Sequence, residues 1–546
     1  MFNIPNYQRG YAWQQQQVKE FLEDLQEAVD GNVHEHYTGT ITVIQKGEKT
    51  VFPKNFKLFD VVDGQQRLTT FTIFIFAIHN RLKTLSSDED TLNDILKNII
   101  YRKEAILQLN NNSDEFYKNY IIDKAVVALP TSFDNKAQLN LANAKKQITR
   151  FLDGFKNLSD VQKFYECLMT RFKVNFYSLS KESDVGVVFE TMNNRGLSLT
   201  QIDKVKNYLV YLSARMNDES LSVYINNSFG QIFRELMKIE ATTTQENEVL
   251  RFSYIVYKGI NEPDVHAQIK TALLDKKTVN KTKIIEYVDF LKKSSELYSK
   301  IRRGDIKDTQ VALLVRKIIW LGNPTNFIPL LIALFERYEE KQLIGVLEAM
   351  EVFSFRIYKI GNRQGRAVQP TLHKLAFQIH QKQVDLSDVK HELVHNQYAN
   401  DQDFKLALQS GNFYNSQNWD EIAYFFYEYE CFLHEQTKSG FELLNFVQFD
   451  DDGNFGKLQI EHIEPQVPQN REPSAFLHKL GNLLVTYDNG TLSNKEFNVK
   501  RNSYKKSKLL VENEVAKNTK WDDASINIRT KELVEFALKR WKLKTK

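Results

Sequence analysis

Apolar residues recur at helical spacing through most of the chain, and that period predicts a mainly helical protein. Val18, Phe21, Leu22, Leu25 and Val29 fall on one helical face. TGTITVIQ (38–45) is rich in β-branched residues and alternates, which predicts a strand, and FKLFDVV (56–62) predicts a second. Asp63-Gly64 signals a tight turn. From Leu68, LTTFTIFIFAIHNRL predicts an apolar helix packed on most sides. The order helix, strand, strand, turn, helix describes a mixed α/β start with a polar cluster at the turn. Residues 86–180 then alternate apolar and charged positions at helical spacing.

A second compact signal lies at 185–212. Val185, Val188, Phe189 and Met192 form a helix face, and Asn193-Asn194-Arg195-Gly196 ends it, Gly196 supplying a left-handed cap. Thr200 opens the next helix, with Asp203 three residues on as a capping-box variant. Residues 213–400 read as all-helical, with amphipathic stretches such as VALLVRKIIWLG (311–322) and FIPLLIALFERY (327–338) and no repeat of fixed period. The basic, Gly-containing segment RIYKIGNRQGRAV (356–368) interrupts them. After about residue 400 the character changes. An acidic, aromatic helix (420–435) leads to the turn FDDDGNFGK (449–457), a strand (458–463), a loop, a short strand LLVT (483–486) and a basic helix from Ser493. The fold class is therefore α+β, predominantly helical, in three domains: 1–212, 213–400 and 401–546.

Composition narrows the function classes. A formal net charge of +4 over 546 residues is not that of a histone-like protein, so a nucleic-acid surface would have to be a local patch. The two cysteines, Cys167 and Cys431, form no CxxC pair, which argues against a disulfide framework and a cysteine-type zinc site. No apolar run reaches the ~18 residues of a membrane span, and MFNIPNYQRGYAW is not a secretion signal. A cytoplasmic protein with no membrane partner is expected.

Chemistry concentrates near the C-terminus. Hydrolysing a phosphodiester requires an activated water, charge to stabilise the transition state and a proton for the leaving oxygen, which one histidine and one divalent metal can supply. The histidine must stay unligated to act as base, and the metal takes hard oxygen ligands. Glu461 and His462 are adjacent on an expected strand, so their side chains point to opposite faces. Asn482 lies at the return strand, and Ser493-Asn494 opens the helix that follows. That helix carries Lys495, Lys500, Arg501, Lys505, Lys506 and Lys508 against one acid, Glu496, a charge set suited to phosphate. Taken alone, His462 reads more plainly as a buried strand histidine than as a base.

The three blocks IEHIEPQ, HKLGNLLVT and LSNKEFNVKRNSYKKS, in that order, resemble the HNH (His-Me finger) nuclease domain of GmrSD-type type IV restriction endonucleases, with its ββα-metal fold. The resemblance covers about the last 90 residues. It implies His462 as general base, Asn482 positioning that base or the scissile phosphate, and Glu461 with Asn494 binding Mg²⁺ or another divalent metal. Asn489 and Asn498 are rival ligands. Many HNH proteins carry Asp where this chain has Glu461.

At the other end, VVDGQQRLTT sets Asp63, Gly64, Gln65, Gln66 and Arg67 between a strand and a helix N-terminus. Free N–H groups there attract phosphate, and Arg67 could clamp its oxygens. The segment is not a Walker A loop, and a hydrogen-bonded αβ turn explains the same residues. IPNYQRGYAW, DGQQRLTT and FETMNNRGLSLTQIDKVKN are together similar to the ParB/sulfiredoxin-like domain of the same enzymes, over roughly residues 1–210. That resemblance implies binding and hydrolysis of a nucleoside triphosphate (GTP, ATP or another) by Gln8, Arg9, Asp63, Gly64, Gln65, Gln66 and Arg67, joined by Asn193, Gly196, Asp203 and Lys206. Helix capping is an equal reading for Gly196 and Asp203.

The combined expectation is an anti-phage enzyme. Its C-terminal domain cuts double-stranded, modified phage DNA, contacting it through Lys495, Lys500, Arg501 and Lys505, and its N-terminal domain senses or hydrolyses a nucleotide. A homodimer is compatible with the sequence. An NTP-independent DNase toxin, a non-enzymatic ParB-like DNA-binding adaptor and an RNA-directed nuclease are the alternatives.

Overall fold

The computed structural model describes the chain except residues 6–7, 9, 32–34, 111–112, 124–128, 131–132, 134, 180–199, 217, 275–278, 322–323, 362–367, 397–399, 415–418, 438–457, 469–471 and 544–546. Helices dominate, with a small mixed sheet near the N-terminus, so the fold is α+β and predominantly helical. The chain divides into two compact units: Met1–Arg251 with Glu262–Ser299, and Phe252–Asn261 with Lys300–Lys546.

In the first unit a short β1 (Phe2–Asn3), not foreseen in the sequence, precedes α1 (Gln15–Val29), β2 (His36–Val51), β3 (Lys54–Asp63) and α2 (Gln65–Thr84), which follow the expected order. They are joined by β4 (Leu107–Gln108), α3 (Lys136–Asp153), α4 (Leu158–Thr170) and β5 (Phe172–Leu179). The sheet order is β4-β1-β3-β2-β5. β2 and β3 pair antiparallel, while β1 runs parallel to β3 and to β4, and β2 parallel to β5. Helix α2 is buried along most of its length, as its apolar sequence requires, and packs with α1, α3 and α4 around Phe21, Leu25, Phe74, Ile78, Leu141 and Phe164. Strand β5 was hidden in the sequence because six of its eight residues are exposed and its pattern does not alternate.

The helical stretch expected at 213–400 is divided between the two units. Its second half belongs with the C-terminal segment because both close one core. Helices α5 (Thr309–Leu321), α6 (Ile344–Ser354), α7 (Trp419–Thr437) and α8 (Asp523–Arg540) share buried polar contacts. Glu351 of α6 accepts hydrogen bonds from the Tyr424 hydroxyl (2.6 Å) and the Trp541 indole N–H (3.0 Å). Glu428 of α7 meets Lys317 of α5 at 2.5 Å and Arg540 of α8 at 2.8 Å. These cations hold the Glu428 carboxyl below its usual range against the opposing effect of burial. Removing one partner of such a buried set leaves an uncompensated charge, so the helices act together. No helix among the described residues is long and apolar enough to cross a membrane.

Candidate functional site

The C-terminal constellation is built on two short antiparallel strands, β6 (Gln459–His462) and β7 (Leu483–Thr486), followed by helix α9 (Phe497–Tyr504). Glu461 faces Leu484 in the register and His462 faces Leu483. The helix begins four residues later than the expected Ser493, because Ser493 adopts φ +44° and closes a short preceding helix (Asn489–Leu492).

His462 is 7% exposed. Its Nε2 lies 3.4 Å from Nδ1 of His478, and its Nδ1 lies 3.3 Å from Nε2 of Gln466. Tyr414 packs edge-on against the His462 ring and stacks on the His478 ring, and the Tyr414 N–H donates to the His478 carbonyl. Burial, with His478 and Lys500 nearby, pushes the His462 imidazole down to about 3. The ring is therefore uncharged at neutral pH and keeps a lone pair. His478 and Gln466 were not singled out in the sequence. The period-2 geometry of β6 offers no signal for His478, which reaches the site through a loop sixteen residues on.

Asn482 is fully buried and cannot touch a phosphate as placed. Its side-chain oxygen accepts from the Glu464 N–H (2.8 Å) and the Trp521 indole (3.1 Å). Its amide nitrogen donates to the carbonyls of Leu477 (2.9 Å) and Glu464 (3.3 Å). It clamps the loop leaving His462 to the loop carrying His478, which makes it a positioning residue. Gly481 before it has no alternative: a Cβ there would lie 2.2 Å from the Ile526 carbonyl and 2.4 Å from the Thr530 hydroxyl of α8.

Lys500, expected to contact DNA, faces inward. It is 1% exposed, 2.5 Å from the Glu461 carboxylate, and it donates to the His462 carbonyl at 2.6 Å. The helical period explains this: Phe497, Lys500 and Tyr504 share the buried face of α9. Lys495 and Lys505 are exposed, and Arg501 is half-buried with its Nε donating to the Ala516 carbonyl.

The oxygen donors for a divalent metal do not converge as they stand. Glu461 is engaged by Lys500, Asn494 is exposed in the turn, and no cluster of three acidic, histidine or cysteine ligands occurs among the described residues. Of the three candidate asparagines, Asn489 comes nearest the Glu461 strand, its Nδ2 donating to the Ile460 carbonyl at 3.2 Å; Asn498, like Asn494, is exposed.

In the N-terminal unit, the DGQQR side chains turn inward. Gly64 takes φ +89° at the head of α2, and a Cβ there would crowd Ile41 and the Thr40 carbonyl. Gln65 donates to the Gln8 side chain (3.1 Å), and Gln8 donates to the Val62 carbonyl (2.8 Å). Gln66 accepts from the Ala12 N–H (2.7 Å) and donates to the Gly10 carbonyl (3.1 Å). Arg67 donates to the carbonyls of Thr38 (3.0 Å) and Thr40 (2.9 Å), with Asp63 at 3.9 Å. A cleft of about 10 Å³, room for a single water, is lined by Gly10, Gln65, Gln66, Asn110 and Ser113. Asp203 closes the expected capping box with Thr200. Lys206, on the same helix (Gln201–Arg215), is buried, which pushes its amine down to about 8 despite nearby Asp203. Arg9, Asn193 and Gly196, like the 185–192 helix face and the 449–457 turn, lie outside the described residues, as does most of the basic segment after Gly361.

Comparison with known families places these two clusters in one kind of protein. The model of the GmrSD restriction endonuclease N-terminal domain matches residues 1–210, and that of the GmrSD restriction endonuclease C-terminal domain matches residues 398–536. Together they cover well over half of the chain. The chain belongs to the GmrSD restriction endonuclease family. Both halves of the GmrSD architecture are thus on a single polypeptide, and the His462 and DGQQR clusters fall one in each matched segment. The family makes the chain a restriction endonuclease whose substrate is DNA. No curated protein matches it.

Proposed function

We propose that this GmrSD protein cuts foreign, modified double-stranded DNA at an HNH-type site in which His462 is the general base. The observation that carries the reading is the placement of buried His462 on a two-stranded ladder followed by the basic helix α9, with one ring nitrogen toward the exposed Gln466 side chain. A water attacks phosphorus, its proton passes to the imidazole, and the bond to the leaving sugar oxygen breaks as that oxygen takes a proton from solvent water. Exposed Lys495 and Lys505 beside half-buried Arg501 provide phosphate contacts, without Lys500.

A divalent metal, Mg²⁺ or a similar ion, belongs to the proposal, although the donors present do not form a ready-made cage. Mg²⁺ sites commonly hold one or two protein oxygens and complete their shell with water and substrate phosphate. Glu461, once released by Lys500, and Asn489 are the oxygens nearest that task, with Asn494 the ligand implied by the family resemblance. Nucleotide control by the N-terminal unit, through Asp63–Arg67, Gln8 and Lys206, completes the reading. An NTP-independent nuclease is the second reading, favoured by the inward hydrogen bonding of Gln65, Gln66 and Arg67.

One cleavage panel tests both: plain, glucosylated and phosphorothioated DNA, each with and without NTP and Mg²⁺, for the wild type and His462→Ala. Loss of cutting in His462→Ala with NTP turnover retained is expected. Cutting that survives His462→Ala overturns the base assignment, and cutting indifferent to NTP under every condition selects the second reading.

A further inference from the structure

The two ring nitrogens of His462 have different neighbours, and one neighbour has a fixed chemical role. Nε2 of Gln466, 3.3 Å from His462 Nδ1, is an amide NH₂ and can only donate. With the Gln466 amide turned so that its NH₂ faces the ring, His462 Nδ1 accepts and carries no proton. In a neutral imidazole the proton then sits on Nε2, which lies 3.4 Å from Nδ1 of His478. His478 Nδ1 is then the acceptor of that contact. The separation is long for a hydrogen bond, as contacts between a base and its orienting partner commonly are before substrate closes a site.

The arrangement has three parts. Gln466, an exposed side chain, covers the lone pair from the solvent side, where a phosphodiester and its water would arrive. His478 holds the opposite edge of the ring, and is itself fixed by Tyr414, which stacks on its ring at 5.6 Å between centroids and donates to its carbonyl at 2.9 Å. Asn482 ties the loop of His478 to that of His462 through Leu477 and Glu464.

We infer that His478 is a positioning residue for the nuclease reaction: by accepting the Nε2 proton of His462 it fixes the tautomer that leaves Nδ1 of His462 free to take a proton from water. The inference rests on the reading of His462 as the base. The same logic governs any base whose far nitrogen is held by an acceptor, where the wrong tautomer can cost up to about 10⁴ in turnover.

Two substitutions separate the acceptor from the ring. His478→Asn keeps an acceptor oxygen near the position of Nδ1 and removes the aromatic ring. His478→Phe keeps the ring against Tyr414 and removes the acceptor. On the full chain, His478→Asn is expected to retain kcat within about threefold, while His478→Phe loses about a hundredfold or more in kcat with KM little changed. Selective ¹⁵N-histidine NMR of the wild type, which depends on neither variant folding, should show His462 protonated on Nε2 and not on Nδ1. A wild-type His462 protonated on Nδ1, a fully active His478→Phe, or a His478→Asn as impaired as His478→Phe each overturns the inference. If His462→Ala still cuts, the base reading itself has failed. If His462→Ala is inactive and His478→Phe is not, only the role of His478 has.

Discussion

The ammonium of Lys500 sits 2.5 Å from a carboxylate oxygen of Glu461, with both side chains almost fully buried and the His462 carbonyl a further 2.6 Å partner of the same cation. Burial pushes the Glu461 carboxyl up to about 7 even with Lys500 pulling it down. Lys500→Met should therefore raise it further, leaving a group that binds its proton more tightly folded than unfolded. Such a group stabilises below the unfolded value near 4.5 and loses that contribution as pH rises. The variant is expected to be destabilised by about 3–5 kcal/mol at pH 8, with the penalty shrinking toward pH 5 and most of it recovered in the double variant Lys500→Met/Glu461→Gln. Denaturant titrations at the two pH values measure this; a penalty independent of pH would show that the pair is not electrostatically coupled.

The His462 imidazole titrates in the opposite sense. Its folded value lies well below the ordinary 6.5. Between those values the unfolded chain binds a proton that the folded chain refuses, so stability falls as pH falls from 6.5. His462→Gln removes that contribution. The variant should gain on the wild type by a few kcal/mol between pH 6.5 and about 4. Parallel melting curves of the two proteins across that interval would contradict the depressed value.

Most of the scaffold was legible in the sequence, and the reasons for the exceptions are physical. β-branched composition exposed β2, and apolar spacing exposed α1 and α2, because α1 buries one face and α2 most of its surface. Strand β5 escaped because its exposed residues carry no alternating burial. In the site, adjacency on a strand correctly separated Glu461 from His462. Lys500 was misjudged as a surface cation because a count of lysines ignores the i, i+3, i+7 relation to Phe497 and Tyr504, which was available. His478 was out of reach: its position depends on the Asn482 clamp and the Tyr414 stack, both set by tertiary packing.

Asn482 supplies a direct test of that clamp. Its side chain makes contacts to Glu464, Leu477 and Trp521 with no exposure to solvent. Asn482→Leu keeps the volume and leaves the Glu464 N–H and Leu477 carbonyl unpaired, at about 1–3 kcal/mol for each buried group. The variant is expected to lose kcat by at least tenfold while DNA affinity at zero turnover stays near wild type, since Asn482 does not reach the substrate surface. A gel-shift affinity that falls in step with kcat would instead place Asn482 on the DNA.

Arg67 decides between two roles for the DGQQR segment. As placed, its Nη1 bridges the carbonyls of Thr38 and Thr40 across the bend of β2, and the guanidinium packs over Gly39 so closely that a Cβ there would fall on it. Gly39 also takes φ +102°, so no side chain is tolerated at that point. Arg67→Ala should therefore destabilise the nucleotide-free protein, by about 2 kcal/mol for two half-buried carbonyls losing a charged donor. Gly39→Ala should do the same by displacing the guanidinium. If Arg67 served only as a phosphate clamp, Arg67→Ala would weaken nucleotide binding with no change in the nucleotide-free melt, and Gly39→Ala would not mimic it. Thermal melts of both variants without nucleotide, set beside their NTP affinities, distinguish the cases; the bridging geometry predicts that both melts fall.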